Sequence, residues 1–462
     1  MDLRYWLGRA VDEIGAWAAD HDGFSPHASA SVTDHEMADG FGELVRRLSS
    51  SYPFFHPRYA GQMLKPPHPA AVAGYVAAML INPNNRALDG GSATSALEEE
   101  AVAAIASMFG MPSHLGHLTG GSTVANLEAL FVARETHPGK GIAYSREGHY
   151  THARMCHLLG MRGYPIEVDS LGRMDPEALE RQLARGTVGT VVATVGTTGL
   201  GAVDPVHTIL AAARARGVRV HVDAAYGGFH VLLDQEDADL LPDPRPWRAI
   251  AHCDSVVVDP HKHGLQPYGC GAVLFGDPGV GRFYRHDSPC ASYASYATDR
   301  PHLGEISLEC SRSGAAAAAL WLTQKLLPLT SGGLGQVLAA GRRAALRWAA
   351  LIEQSSVLDL YQPPDLDIVT YFPRTDPLLL SEVEAASRTV MRRGMSDRAD
   401  PVYLSTARID AHSFAARWPG AVTDLGHTRI LRSVLMKPES ELHLDQLHSL
   451  VERLATTARH TG

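Results

Sequence analysis

Few side chains in this sequence can act as a nucleophilic amine, because only five of its 41 basic residues are lysines: Lys65, Lys140, Lys262, Lys325 and Lys437. Lys262 stands out. It follows the apolar run SVVVDP (255–260), sits between His261 and His263, and precedes the glycine-rich GLQPYGCG. Parallel α/β sheets place ligands at strand C-termini, and burial there would depress the amine's pKa and make it nucleophilic. It reads either as a solvated loop lysine or as one that forms a Schiff base. Asp223 ends a second apolar run, VRVHVDAA (218–225), beside the small Ala224 and Ala225. A carboxylate there needs a partner. It is either a cap or ion-pair residue, or an anion held opposite a protonated ring nitrogen. The segment HLTGGSTVANLEALFVARE (117–135) runs from a glycine turn straight into a helix. Such a terminus either binds an anion, with Ser122 and Thr123 adding hydroxyls, or is an ordinary N-cap. It is not a P-loop, for no lysine follows the glycines. His149, in GHYTHARMC (148–156), is either a surface or satisfied core histidine, as most of the 24 histidines must be, or one that stacks on a flat ring. Metal readings of His149/His152 or His261/His263 lack the spacing of known metal motifs.

The elements that must carry these residues alternate. GTVVATVG (189–196), VRVHVDAA, SVVVDP and GAVLFG (271–276) read as buried strands, with a helix over DPVHTILAAARARG (204–217). Strands buried on both faces and joined by crossovers indicate a mainly parallel sheet covered by helices. Upstream, Leu7, Val11, Ile14 and Trp17 recur at helical spacing. SALEEEAVAAIASMFGMP (95–112) predicts a helix with Ser95 as its cap candidate and Gly110 and Pro112 at its end. SGAAAAALWLTQKLLPL (313–329) is strongly helical. Beyond about 335 the helical LAAGRRAALRWAALIEQ gives way to DIVTYFP (367–373), helical SEVEAASRTVMRRG, strand-like PVYLSTARI and TRILRSVLM, and a last helix. The chain divides into an N-terminal helical and extended segment (1–70), a large α/β domain (71–335) and a small C-terminal α+β domain (336–462).

Composition narrows the function classes. The 462 residues are 45% hydrophobic and 20% charged with a formal net charge of -9, as expected of a globular enzyme-sized protein. Mild acidity argues against a nucleic-acid partner. The longest apolar run, Ala70 to Ile81, falls short of the roughly 20 residues that span a bilayer. Charges in the first residues and five scattered cysteines predict a cytoplasmic protein without a disulfide framework.

Taken in order, TGGSTVANL, VATVGTTGLGAVDP, HVDAAYGG and DPHKHG, with upstream HPRYAGQM and downstream SLECSRSGAAAAALW, resemble the pyridoxal-phosphate enzymes of fold type I (aspartate aminotransferase-like). The group most similar is the group II amino-acid decarboxylases, which act on aromatic amino acids, glutamate, tyrosine and diaminobutyrate. The resemblance covers residues 50–440. It implies pyridoxal 5'-phosphate bound covalently by Lys262, with Asp223 on the pyridine nitrogen. His149 would lie on one ring face and Ala225 on the other. Ser122, Thr123 and His261 would bind the phosphate, and Thr198 would lie at the ring edge. Gln62 and Met63 fall where the family lines its substrate pocket, often with aromatic residues. Arg432 is a carboxylate-binding or structural arginine. In this family a loop tyrosine from the partner subunit protonates the substrate carbon. Here the loop is DSPCASYASYATDRPHLG (287–304), where Gly304 favours Tyr296 and Tyr293 is the rival. The implied activity is decarboxylation of an L-amino acid to an amine by a homodimer with interface sites. Alternatives are oxidative decarboxylation-deamination to an aldehyde, or another lyase or aminotransferase reaction. A desulfurase would have to use Cys290. A ligand sensor would need a DNA-binding module, and no segment reads as one.

Overall fold

Short β-branched runs bounded by glycine and proline form the framework of the chain. A computed structural model describes residues 2–21, 27–233, 239–285 and 302–459. Among these residues seven strands build a large sheet: β1 (Leu115–Thr119), β2 (Gly141–Ser145), β3 (Gly163–Ile166), β4 (Val188–Thr194), β5 (Arg219–Asp223), β6 (Ser255–Val258) and β7 (Gly271–Phe275). Their order is β1-β7-β6-β5-β4-β2-β3. β7 runs antiparallel to β1 and β6, and the remaining neighbours pair in parallel. Every residue of β4, β6 and β7 is buried, so their sequences read as continuous apolar runs.

Alternate residues feed different cores. Val191 and Ala193 of β4 join a cluster with Ile105, Ile209 and Leu210, whereas Val192 packs with Leu130 and Ala133 of the helix Ser122–Thr136. Helices thus cover both faces, as the sequence predicts. One boundary differs. The helix expected from Ser95 begins at Leu88 and runs to Met108 with a kink at Gly91, so Ser95 lies buried inside it and caps nothing. Gly90, inside this helix, packs closely on another backbone: a Cβ there would lie 2.8 Å from the Asn84 carbonyl oxygen. It serves close backbone approach rather than helix termination. Gly110, with φ +70°, does follow the helix end.

A second, antiparallel sheet has the order β10-β11-β9-β8, from β8 (Leu358–Gln362), β9 (Ile368–Pro373), β10 (Ser405–Asp410) and β11 (His427–Val434). PVYLSTARI enters the sheet only at Ser405. Tyr403 just upstream instead bridges to Tyr59, and the amide of Val434 donates to the Ala60 carbonyl at 2.8 Å. The segment around residue 60 is thereby tied to the C-terminal sheet. Trp348, Val390 and Val451, from three helices, pack behind that sheet. The N-terminal helices Leu3–Ala19 and Asp34–Leu48 bury no residue. No described helix is long and apolar enough to cross a membrane.

Candidate active site

Because β4, β5 and β6 are parallel neighbours, Thr194, Asp223 and the segment from Asp259 emerge at one edge of the sheet. The turn Gly120–Gly121 leads from β1 into the helix at Ser122 on the same edge. Gly121 has φ +142°, and a Cβ on Gly271 would lie 2.6 Å from its backbone, so the turn is held by two backbones in contact. The resulting cavity encloses about 380 Å³, part of it open to solvent. It brings together Ser122, His149, Thr198, Asp223, Ala225 and Lys262, all singled out in the sequence.

Asp223 is 5% exposed. His152 Nε2 lies 3.0 Å from its Oδ2, Asn126 Nδ2 donates to the same oxygen at 3.4 Å, and the Ala225 amide donates to Oδ1 at 3.2 Å. Burial would push the carboxyl upward, but His152 and the field of Lys262 hold it well below the usual carboxylate range. Behind it, His221 donates from Nε2 to Asn126 Oδ1 at 2.9 Å and accepts from Ser255 Oγ at Nδ1. Burial lowers His221 to about 3, so the ring is neutral and fixes the amide's orientation. The anion is therefore built into the site.

Lys262 departs from expectation. Burial does act to lower its amine, but Asp259 Oδ2 stands 2.9 Å from Nζ, and with Asp223 it raises the amine above its ordinary value. The sequence reading omitted this partner, three residues upstream. His149 accepts from the Thr151 amide and pairs with its hydroxyl at 2.6 Å, and burial lowers its pKa. Thr123 is exposed and, like His261, is not among the lining residues. His261 pairs with the Cys270 carbonyl at 2.8 Å, and its ring lies against Gly121. Gln62, Met63 and Arg432 also lie outside the lining. Arg432 donates from Nε to the Gly199 carbonyl and from Nη1 to the Gly61 carbonyl, each at 3.1 Å. It thus joins the residue after Thr198 to the residue before Gln62. Tyr293, Tyr296 and Cys290 lie outside the described residues.

A family model described as the pyridoxal-dependent decarboxylase conserved domain matches residues 54–371. The chain belongs to the pyridoxal-dependent decarboxylases. It is 29% identical to an L-tyrosine decarboxylase of Enterococcus faecium, over 79% of this chain and 78% of that one. It is 28% identical to an L-2,4-diaminobutyrate decarboxylase of Rhizobium meliloti, over 85% of this chain and 76% of that one. Its fold is similar to that of mouse CSAD, with a TM-score of 0.78, 20% identity and 98% of each chain covered. It is likewise similar to Oryza sativa TDC solved with PLP and tryptamine, with a TM-score of 0.78, 18% identity and 99% and 98% covered. The chain is a pyridoxal-phosphate-dependent carboxy-lyase of fold type I.

The decarboxylase site suits that cofactor chemically. It offers an amine for the aldehyde, a buried anion for the ring nitrogen, and hydroxyls at a helix N-terminus for the phosphate. Thr194 Oγ1 is buried on the wall without a hydrogen-bond partner among the described residues. Asn126, Thr194, Gly196 and Tyr226 also line the cavity and were missed in the sequence. Asn126 could have been found, since it follows Ser122 by one helical turn. A second cluster, His230, His263 and Asp367, lies buried nearby. His263 Nε2 is 2.8 Å from Asp367 Oδ2, and Tyr226 Oη donates to Asp367 Oδ1 at 2.5 Å. That first spacing is a hydrogen bond, tighter than two atoms sharing one metal ion, and Arg342 and Lys65 face His230. The cluster reads as a clasp between the lysine loop and the C-terminal sheet.

Proposed function

We propose that this decarboxylase converts an L-amino acid into the corresponding amine, with Lys262 holding the cofactor. One observation carries the reading: Lys262 and Asp223 line a single cavity at the C-terminal edge of a parallel sheet. Pyridoxal phosphate, when bound there, supplies an electron sink for the pair left by the departing carboxylate. Asp223 keeps the ring nitrogen protonated, and His152 and Asn126 keep Asp223 charged. His149 and Ala225 confine the ring from its two faces. Ser122, with Thr123 and His261 at the margin of the turn, binds the phosphate, and Thr198 bounds the ring edge. Arg432 acts as the structural arginine that holds the Gly199 and Gly61 carbonyls beside the site, while Gln62 and Met63 bound the side-chain pocket. Tyr296 or Tyr293 returns a proton to the α-carbon.

The enzyme works as a homodimer in this proposal. Met37, Phe41, Leu44, Val45 and Leu48 form one exposed apolar stripe along the helix Asp34–Leu48, and a second copy of the chain is its occupant. Sedimentation should give a dimer that Phe41→Asp weakens; a monomeric parent protein contradicts this. An amino-acid panel scored for carbon dioxide and for amine or aldehyde tests the chemistry. Equal amounts of carbon dioxide and amine are expected, whereas aldehyde with ammonia overturns the reading.

A further inference from the structure

Asp259 follows the last residue of β6 and is 1% exposed. Its Oδ1 accepts the Ser122 amide at 2.7 Å, which fixes the carboxylate at the start of the helix Ser122–Thr136. Its Oδ2 lies 2.9 Å from Lys262 Nζ and 3.5 Å from His261 Nε2. The turn that presents the amine is closed by the same residue, since the Lys262 amide donates to the Asp259 carbonyl at 2.9 Å. Four other titratable groups face the amine: Asp223 from the end of β5, Tyr268 from the loop before β7, His149 from across the cavity, and neighbouring His261. Among the described residues, Asp259 alone is at ion-pair distance from Nζ.

We propose that Asp259 is the counter-ion of Lys262, a positioning residue that stores the free amine as an ammonium until a carbonyl compound is bonded. An ammonium has no lone pair and is no nucleophile. To react, it gives one proton to solvent. The lone pair then bonds the carbonyl carbon, and the carbonyl oxygen takes one proton from the nitrogen and one from solvent and leaves as water, which forms the carbon–nitrogen double bond. Asp259 therefore opposes the first of these events and holds the amine aimed while it waits. The direction of the amine's pKa agrees, because burial alone would lower it. The meaning of this role rests on reading Lys262 as the cofactor lysine, but its test does not.

The full chain, freed of pyridoxal phosphate, is labelled with acetic anhydride across the alkaline range and read by mass spectrometry at Lys262. A free lysine derivative in the same mixture is the standard. In the unmodified chain Lys262 should titrate above the standard; a midpoint below it overturns the proposal whether or not any variant folds. In Asp259→Asn, labelling of Lys262 near neutral pH should rise about tenfold or more. Labelling unchanged from the unmodified chain also overturns it. A chain that labels as expected yet lacks decarboxylase activity would refute the proposed function and leave this inference standing.

Discussion

Lys437 and Lys262, both withdrawn from water to different extents, behave in opposite ways. Lys437 is 2% exposed; its amine donates to the Tyr59 carbonyl at 2.5 Å and sits 5.4 Å from the centre of that ring. Burial lowers it to about 8, against a weaker upward pull from Glu439. Lys262, whose side chain is 19% exposed, is also pushed down by burial, yet Asp259 at 2.9 Å reverses the direction. The difference teaches that contact with a carboxylate, rather than depth, sets the charge of a buried amine. Sequence spacing decides that contact. A turn folds Asp259 back onto Lys262 three residues later, while Pro438 and Glu439 lead away from Lys437 into the last helix. In the proposed function one amine is kept as a reagent, whereas the other ties the segment around Tyr59 to the end of the C-terminal sheet.

Variants can break this contrast. Lys262→Ala should cost on the order of 10³-fold or more in decarboxylation, and Lys437→Met far less; equal losses would erase the distinction. Asp223→Asn should cost on the order of 10²-fold in kcat while the protein still binds cofactor, measured by steady-state kinetics and visible absorbance. Near-parental kcat would remove the anion from the mechanism. Lys437 also predicts a pH dependence. Its folded pKa of about 8 lies below its ordinary value of 10.5, so the unfolded chain binds the extra proton between them. This contribution therefore makes stability rise with pH across that window and vanish as a slope outside it. Lys65, also lowered to about 8 by burial, adds to the same window, so denaturant titrations at several pH values should show a steeper rise in the parent than in Lys437→Met, with overall stability altered by about 1–2 kcal/mol. The smallest effect on activity concerns architecture alone: Gly90→Ala should lower stability by about 1–2 kcal/mol through its clash with the Asn84 carbonyl, leaving the kinetics of the folded fraction unchanged.

Much of the site was legible because its residues punctuate apolar strands. β4, β6 and β7 each appear in the sequence as an unbroken buried run and β5 is buried from Val220 on, and Asp223 and Lys262 mark two of their ends. β1, β2 and β3 did not announce themselves. LGHLT contains a glycine and a histidine, and that histidine, His117, is buried against Glu128 at 3.0 Å, a pairing that sequence spacing conceals. GYPI has a proline where a strand is not expected. Asp259 was passed over because the dipeptide with Pro260 looks like an ordinary turn. His152 was weighed as a metal ligand, whereas its Nε2 lies 3.0 Å from the Asp223 carboxylate. Tyr226 could not be assigned from local sequence, since its phenol partner, Asp367, lies 141 residues away.

The central claim is that Lys262, and no other amine, holds the cofactor opposite Asp223. Borohydride reduction of the purified protein, followed by digestion and mass spectrometry, tests it directly. The account predicts a phosphopyridoxyl group on Lys262 alone. The same mass on Lys65, Lys140, Lys325 or Lys437, or on no lysine in protein reconstituted with pyridoxal phosphate, would contradict it.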